Sequence, residues 1–543
     1  MGSPLIHNAQ NKAALNTSQY SLPGLTCQSA IWNKVLFCDI FFVKHWWKDA
    51  TAAFDRVLHS VTFITCRRLG MPAHACKFLL HLLKQMEFHI LTGYGMSNTS
   101  FRNDKDPLCP GQGMLQGSSS AAPVYNINSD VSLTIYCRLA AGATFVHPIS
   151  NTITTDHAAQ YVDDKTDMLN LQGIITTKYP NSQQSSDTIL QHAQRNANIW
   201  SSLLWISGGV LNGSKCFFYH IRPIYNFQTN NIKYLDNKGK EGINLRHPST
   251  QQQFSLTQLN SKCARRTIGA TLSPSGLSGP QIALYMQKIE IFAGKLSHCR
   301  LPNHLLWKAL KMVLEPGILY PLMATLYSKD ELYQLECQIA KLYCHVLGLN
   351  EHPRAVLHGP CELGGMDIPS LKSILKSIRV NYFLYHTRQQ TQVGIKLELS
   401  LAHLQIEVST LSQMLETSFS QFGHLGTHSL IKCIWEETSN VDLHIKGHDS
   451  ICWTPQAQHD HDKSIMEYAC YHFSKHDTLL INRCRLYVRV ITPYDLFTHD
   501  GSRIHPKLLA HEPIISRISN MKWINISGHR KDIGRHGIIS LHQ

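Results

Sequence analysis

His157-Ala158-Ala159-Gln160-Tyr161-Val162-Asp163-Asp164-Lys165-Thr166-Asp167-Met168-Leu169 is the stretch on which the reading of this chain turns. Short apolar runs alternate around a central acidic pair, the pattern of a strand, a tight turn and a second strand. Neighbouring like charges repel, so Asp163 and Asp164 need either full solvation or a cation. A solvated turn is the ordinary outcome for such a pair. Here the apolar flanks would hold the carboxylates at a buried edge, where a divalent metal is the natural counter-charge.

Upstream, Asp49-Ala50-Thr51-Ala52-Ala53-Phe54-Asp55 places a carboxylate on an expected strand end just before a helix. Read alone, Asp49 and Asp55 are helix-start residues favoured by the dipole. After Phe54, the apolar positions Val57, Leu58, Val61 and Ile64 follow helical spacing, and Gly70 then Pro72 give a stop and a restart. A second helix is predicted over about 73–90. Residues 111–123 are rich in Gly and Ser and open into a helix predicted over 124–139. Within that loop, the backbone amides of Leu115-Gln116-Gly117-Ser118-Ser119-Ser120 could approach a nucleotide closely, although alone the segment reads as a surface loop capping the next helix. Downstream, the turn-rich segment 207–216 delivers Lys215 beside the apolar run Phe217-Phe218-Tyr219. On its own Lys215 is an ordinary surface cation.

The chain has 543 residues and 61.5 kDa, beyond the size at which a single core keeps growing, and two to four domains are expected. Hydrophobic residues make up 43% and aromatics 9%, which excludes a disordered chain. Charged residues are only 16%, against about 25% in ordinary globular proteins, yet the net charge is +14. A polyanionic partner is therefore the first suspect. The 16 cysteines are scattered without a CxxC pair and read as reduced, intracellular thiols. No membrane segment is predicted, because the apolar stretch 31–47 is interrupted by Lys34, Asp39 and Lys44. The first 30 residues read as polar and irregular. Beyond about residue 276 the pattern turns helical: Leu332, Leu335, Ile339, Leu342 and Val346 form one apolar stripe ending at Gly348. Leu371, Ile374, Leu375 and Ile378 begin another after Gly364-Gly365.

The order of these four elements resembles the palm of a reverse transcriptase of the non-LTR, LINE-like retroelement type. Asp49 with Phe54-Asp55 resembles the first aspartate motif, and Gln116-Gly117 the template- and nucleotide-positioning loop. Tyr161 to Asp164 resembles the aromatic-x-Asp-Asp box. Asn212 to Cys216 resembles the segment that follows it, with Gly213 where many relatives carry proline. Arg265-Arg266-Thr267-Ile268-Gly269 resembles the primer-grip region, and Leu363-Gly364-Gly365-Met366 a Gly-Gly element beyond the polymerase. The resemblance runs from about residue 49 to 370.

It implies an α/β (α+β) right-hand polymerase: a remnant of fingers over 1–48, a palm with an antiparallel sheet over 49–275, a helical thumb over 276–350, and a mostly helical accessory region over 351–543. It also implies RNA-directed DNA synthesis on a primed RNA template with dNTPs, and nuclear residence. Two Mg²⁺ about 3.5–4 Å apart stabilise the attacking and leaving oxygens in such transfer. Asp49 and Asp163 would be the principal ligands, with Asp164 supporting. Lys215 would neutralise or protonate the departing pyrophosphate. Phe54 would crowd the sugar 2′ position, and Arg265 and Arg266 would contact the primer.

Only 48 residues precede Asp49, and after Lys12 the only nearby cations among them are Lys34, Lys44 and Lys48, so an N-terminally truncated copy with feeble or absent activity is expected. Between Lys262 and Asn350 stand ten Lys or Arg and five Asp or Glu, a net +5 that suits a phosphate backbone and equally a solvated helical face. His459, His461, Cys470, His472 and His476 lack paired-ligand spacing for zinc. The alternative to the enzyme is a catalytically silent remnant that at most binds nucleic acid. An RNA-dependent RNA polymerase fits less well, since that class prefers an acidic residue at the place of Phe54 and a Gly-Asp-Asp box.

Overall fold

The computed structural model describes residues 15–22, 25–40, 44–48, 50–51, 56–87, 89–100, 113–114, 121–148, 150, 152–170, 182–226, 231–236, 242–299, 301–323, 325–348, 353–368, 370–440, 445, 463–488, 490–498 and 502–504. Helix α1 (Cys27–Ile40) starts inside the stretch expected to be irregular. Its positions Ala30, Ile31, Trp32, Asn33, Lys34 and Leu36 are all buried, so the helix is enclosed on every side and shows no amphipathic period. Strands β1 (Lys44–Lys48) and β2 (Ala50–Thr51) follow, then helices α2 (His59–Arg68) and α3 (Ala73–Gln85). The second of these stops short of the expected Ile90, because residues 91–96 form the small hairpin β3 (Leu91–Thr92) and β4 (Gly95–Met96) instead. Helix α4 (Ala121–Leu139) begins before the expected Val124.

Next come β5 (Ala143–Val146), β6 (Ile153–Asp156), β7 (Ala158–Tyr161), β8 (Asp164–Leu169) and helix α5 (Ser182–Ile206). After β9 (Val210–Leu211) and β10 (Phe217–Tyr219), two hairpins are formed by β11 (Ile221–Asn226) with β12 (Asn231–Asp236) and by β13 (Asn244–Arg246) with β14 (Gln253–Ser255). Strand β15 (Thr257–Leu259) precedes the hairpin of β16 (Arg265–Thr267) and β17 (Ala270–Leu272). The rest is helical among the described residues: α6 (Gly279–Ser297), α7 (Asn303–Ala309), α8 (Glu315–Leu322), α9 (Lys329–Leu347), α10 (Arg354–His358) and α11 (Leu371–Arg388). Then follow α12 (Gln392–Val408), α13 (Phe419–Phe422), α14 (Leu430–Ser439), α15 (Ile465–His472) and α16 (Lys475–Val488). The fold is thus mixed α/β, with small, mostly antiparallel sheets.

A five-stranded sheet in the order β15-β10-β1-β8-β7 lies at the centre. All neighbours pair antiparallel except β15, which runs parallel to β10. Alternation along the strands splits the two faces. Ala159 and Met168 enter the core that contains Trp32 and Leu397, whereas Ala158, Leu169 and Phe218 enter a second core with Tyr136 and Trp200. Helix α1 and the C-terminal helices therefore cover one face, and α4 with α5 the other. The first core runs from Tyr20 through Leu397 and Trp435 to Val490.

Local chemistry explains the helices that matter most. In α9, Ser328 accepts the backbone N–H of Glu331 at 3.2 Å while the Glu331 carboxylate accepts that of Ser328 at 2.7 Å, a reciprocal cap. Leu335, Ile339, Leu342 and Val346 form its buried stripe, and Gly348 ends it at φ 69°. Helix α12 is buried nearly all round and packs against both α11 and α1. Gly394 is required there, since a Cβ would stand 2.0 Å from the His386 carbonyl oxygen.

Candidate functional site

Tyr161-Val162-Asp163-Asp164 closes the β7–β8 hairpin, with Tyr161 and Asp164 as register partners. This is the strand, tight turn and strand expected from the sequence. Val162 sits at φ 54°, a left-handed conformation that is costly for a β-branched side chain. Its surroundings enforce it. The Gln160 side-chain amide donates to the Val162 carbonyl at 2.7 Å, and the Val162 N–H donates to Ser21 Oγ at 3.4 Å. Gln160 is itself tied to the N-terminal segment, exchanging backbone hydrogen bonds with Tyr20 at 2.8 Å and Ser18 at 3.0 Å. The turn is therefore held from the side opposite its own sheet neighbours.

Asp163 and Asp164 are both half-buried. The strand that follows alternates cleanly. Lys165 and Asp167 point toward α4 and α5, forming a buried ion pair in which the Lys165 ammonium lies 3.3 Å from the Tyr136 ring centroid and 4.1 Å from that of Trp200. Burial and the Asp167 carboxylate push the Tyr136 hydroxyl well above its usual pKa. Asp164 belongs to the opposite face, where it acts on Lys34 of α1. Burial draws the Lys34 ammonium down to about 7, while the Asp164 charge pulls the other way. Lys34 also donates to Thr267 Oγ1 at 3.0 Å. This adds to the argument from sequence: a buried lysine of the protein itself interacts with the Asp164 carboxylate.

The register of the sheet decides which segments share an end. Phe217, Trp47, Thr166 and Ala159 form one row across four strands, and Lys48 lies opposite Lys165 in the next row outward. Continuing in that direction, β8 begins at Asp164 and the chain before β10 carries Lys215, whose side chain is exposed. Strand β1 ends at Lys48 and the chain resumes as β2, where Ala50 pairs with Leu211. Asp49 stands between those two strands in the chain and lies outside the described residues, as do Phe54, Gln116 and Gly117. A strand thus leads to Asp49 as expected, but a second short strand, rather than a helix, resumes beyond it. The structure therefore gathers Asp163, Asp164 and Lys215 toward one end of the sheet, with Lys48 and Ala50 at the same end.

Arg265 and Arg266 are exposed on β16. The Arg265 guanidinium lies 5.9 Å from the Phe217 ring centroid, which brings this hairpin beside β10. The hairpin turn is fixed by Ile268 at φ 46° and Gly269 at φ 80°. Tyr320 donates to the Ile268 carbonyl at 2.6 Å, and its ring stands 2.7 Å from where a Cβ on Gly269 would be.

Two hard carboxylates on one tight turn suit a magnesium ion as donors. Among the described residues no group of three or more His, Cys, Asp or Glu side chains could hold a metal, so a third ligand would have to come from a position such as Asp49. Of the tail residues considered for zinc, Cys470, His472 and His476 are described, and His459 and His461 lie outside the described residues. Sequence reading missed Asn33, Asp156 and Lys396 altogether and took Lys34 only as a nearby cation. The available signal was a polar pair, Asn33-Lys34, inside an otherwise apolar run.

No family model matches the chain, and no curated protein matches it. Among solved structures, telomerase from Candida albicans, in complex with the TWJ fragment of telomeric RNA, aligns at a TM-score of 0.28 and 10% identity, covering 70% of this chain and 56% of that one. The chain thus spans little more than half the length of that neighbour, and a superposition this loose assigns neither fold nor function. No helix among the described residues is long and apolar enough to cross a membrane.

Proposed function

We propose that the chain is an RNA-directed DNA polymerase domain of the non-LTR retroelement type, extending a DNA or RNA primer on an RNA template with dNTPs. The observation that carries this reading is the sheet register, which puts the Asp163-Asp164 turn, the strand leading to Asp49 and the turn bearing Lys215 at one end. Asp49 and Asp163 would be the principal ligands of two Mg²⁺ and Asp164 a supporting one. When bound, the metals would offset the charge that builds on the attacking and leaving oxygens. Lys215 is exposed on the turn before β10, and it would neutralise or protonate a departing pyrophosphate. Arg265 and Arg266 would hold the primer backbone, Gln116 and Gly117 the template and incoming nucleotide, and Phe54 would exclude the 2′-hydroxyl.

A second reading, a catalytically silent chain that binds nucleic acid through its basic surface, draws on Lys34. Its buried amine lies close enough to Asp164 for that carboxylate to favour its charged form. Primer extension on poly(rA)/oligo(dT) with Mg²⁺ separates the two. The polymerase reading expects dTTP incorporation that is abolished in Asp163→Asn/Asp164→Asn. Template binding without extension, unchanged in that variant, would leave the silent binder.

A further inference from the structure

A row of buried polar groups joins the C-terminal helices to the acidic turn. Lys396 on α12 is 1% exposed, and its ammonium forms an ion pair with Asp156 at the end of β6, itself 6% exposed. The same ammonium donates to Asn33 Oδ1 on α1, and Asn33 in turn donates to Asp156 Oδ2 at 3.4 Å. Three elements remote in sequence therefore meet at one point. Both ends of the contact lead to the turn. Asp156 is followed by His157 and then by β7, whose other end is Tyr161. Asn33 is followed by Lys34, which holds Thr267 of the β16–β17 hairpin and faces Asp164. Helix α1 packs on β7 and on the hairpin together, with Ile31 and Ala270 forming a small core against which Val35, Ile268 and Leu272 pack.

Taking a lysine and an aspartate out of water costs more than most buried pairs return, and a well-packed apolar pair of similar volume usually holds a fold as well. What the apolar pair lacks is direction. An ammonium bonded to one carboxylate and one amide fixes the rotation and axial position of α1 in a way that methyl groups do not.

We propose that Lys396 is a positioning residue for the Asp163-Asp164 turn, acting from α12 through Asn33 of α1 and Asp156 of β6. The C-terminal helices thereby gain a task in the site they do not line. The link to catalysis rests on the polymerase reading; the link to the turn does not.

The test uses the full chain in four forms: unaltered, Lys396→Met, Lys396→Arg, and the paired Lys396→Met/Asp156→Leu, which leaves no orphaned charge. Amide hydrogen exchange over 158–169 is read beside exchange over 371–388 and 430–439, together with extension kinetics. In the paired form, exchange over 158–169 should rise about tenfold while the two helical segments keep their protection. kcat should fall about tenfold with KM for dTTP within roughly twofold, because ligands are displaced and nucleotide contacts are not. Lys396→Arg should restore slow exchange over 158–169. Unaltered exchange in the paired form would overturn the proposal. So would loss of cooperative unfolding in that form, which would make Lys396 a support of the whole fold. If the unaltered chain extends no primer, the polymerase reading falls and the exchange comparison still decides the role of Lys396.

Discussion

Val162 bears the cost of the acidic turn. With φ at 54° at its first central position, the turn has the geometry that glycine normally supplies, yet the chain places a β-branched residue there. Such a conformation costs on the order of 1–3 kcal/mol and persists only where neighbours over-determine it. Gln160 and Ser21 do so from the two ends of the Val162 peptide units. Val162→Gly should therefore raise the free energy of unfolding by about 1 kcal/mol, the relieved strain exceeding the lost packing and the added chain entropy. Urea denaturation measures this directly. A lower midpoint would show that Val162 packing against the core cluster of Val57, Met114 and Tyr125 outweighs the backbone strain. On the polymerase reading the same change should slow primer extension, since the carboxylates gain freedom as the fold gains stability.

Between elements, the tightest joint is that of α11 and α12. Gly394→Ala would drive a methyl into the His386 carbonyl and should cost about 3 kcal/mol, measured as a drop in unfolding free energy. His386 makes the same joint sensitive to acid. It is fully buried between Ser29 Oγ at 3.3 Å and Thr391 Oγ1 at 2.9 Å, and burial lowers its pKa to about 4. Because the folded-state value lies below the unfolded one, the stability it contributes is present above about pH 6.5 and is lost as the pH falls through 4. His386→Asn should be less stable than the parent at pH 7 and lose about 3 kcal/mol less between pH 7 and 4, in denaturant titrations at each pH. The elements differ in how far the sequence reveals them. The stripe of α9, with its Ser328 start and Gly348 stop, and the alternation around Asp163 are periodic signals that local residues carry in full. Helix α1 has no such signal, because partners cover it on every side and its apolar residues follow no face. The ends of α3 and α4 were blurred for the ordinary reason that capping geometry is not visible in composition. Asn33 left a local trace as a polar residue in an apolar run, but its pairing with Lys396 and Asp156 was out of reach, since a residue 240 positions from its partner leaves no local sign of that partner.

At the scale of the whole molecule, one hydrophobic core holds residues from Tyr20 to Val490, and the central sheet is roofed on one face by helices from both ends of the chain. Helix α1 packs against α12 and α14, and α9 against α11. This arrangement makes a cut near residue 350 informative. In a fragment ending there, α1 would expose the face that α12 covers, and Asp156 would lose Lys396. In the complementary fragment, Lys396 would lose both Asp156 and Asn33 inside an apolar helix layer. Breaking a buried pair by removing one partner costs about 3–5 kcal/mol, and whole domains are stable by only about 5–15 kcal/mol. Neither half should therefore show a cooperative urea transition alone. Mixed and refolded together, the halves should recover one, with circular dichroism close to that of the intact chain. A cooperative transition in 351–543 by itself would instead make the C-terminal helices an autonomous unit, with α1 resting on a surface that needs no help to form.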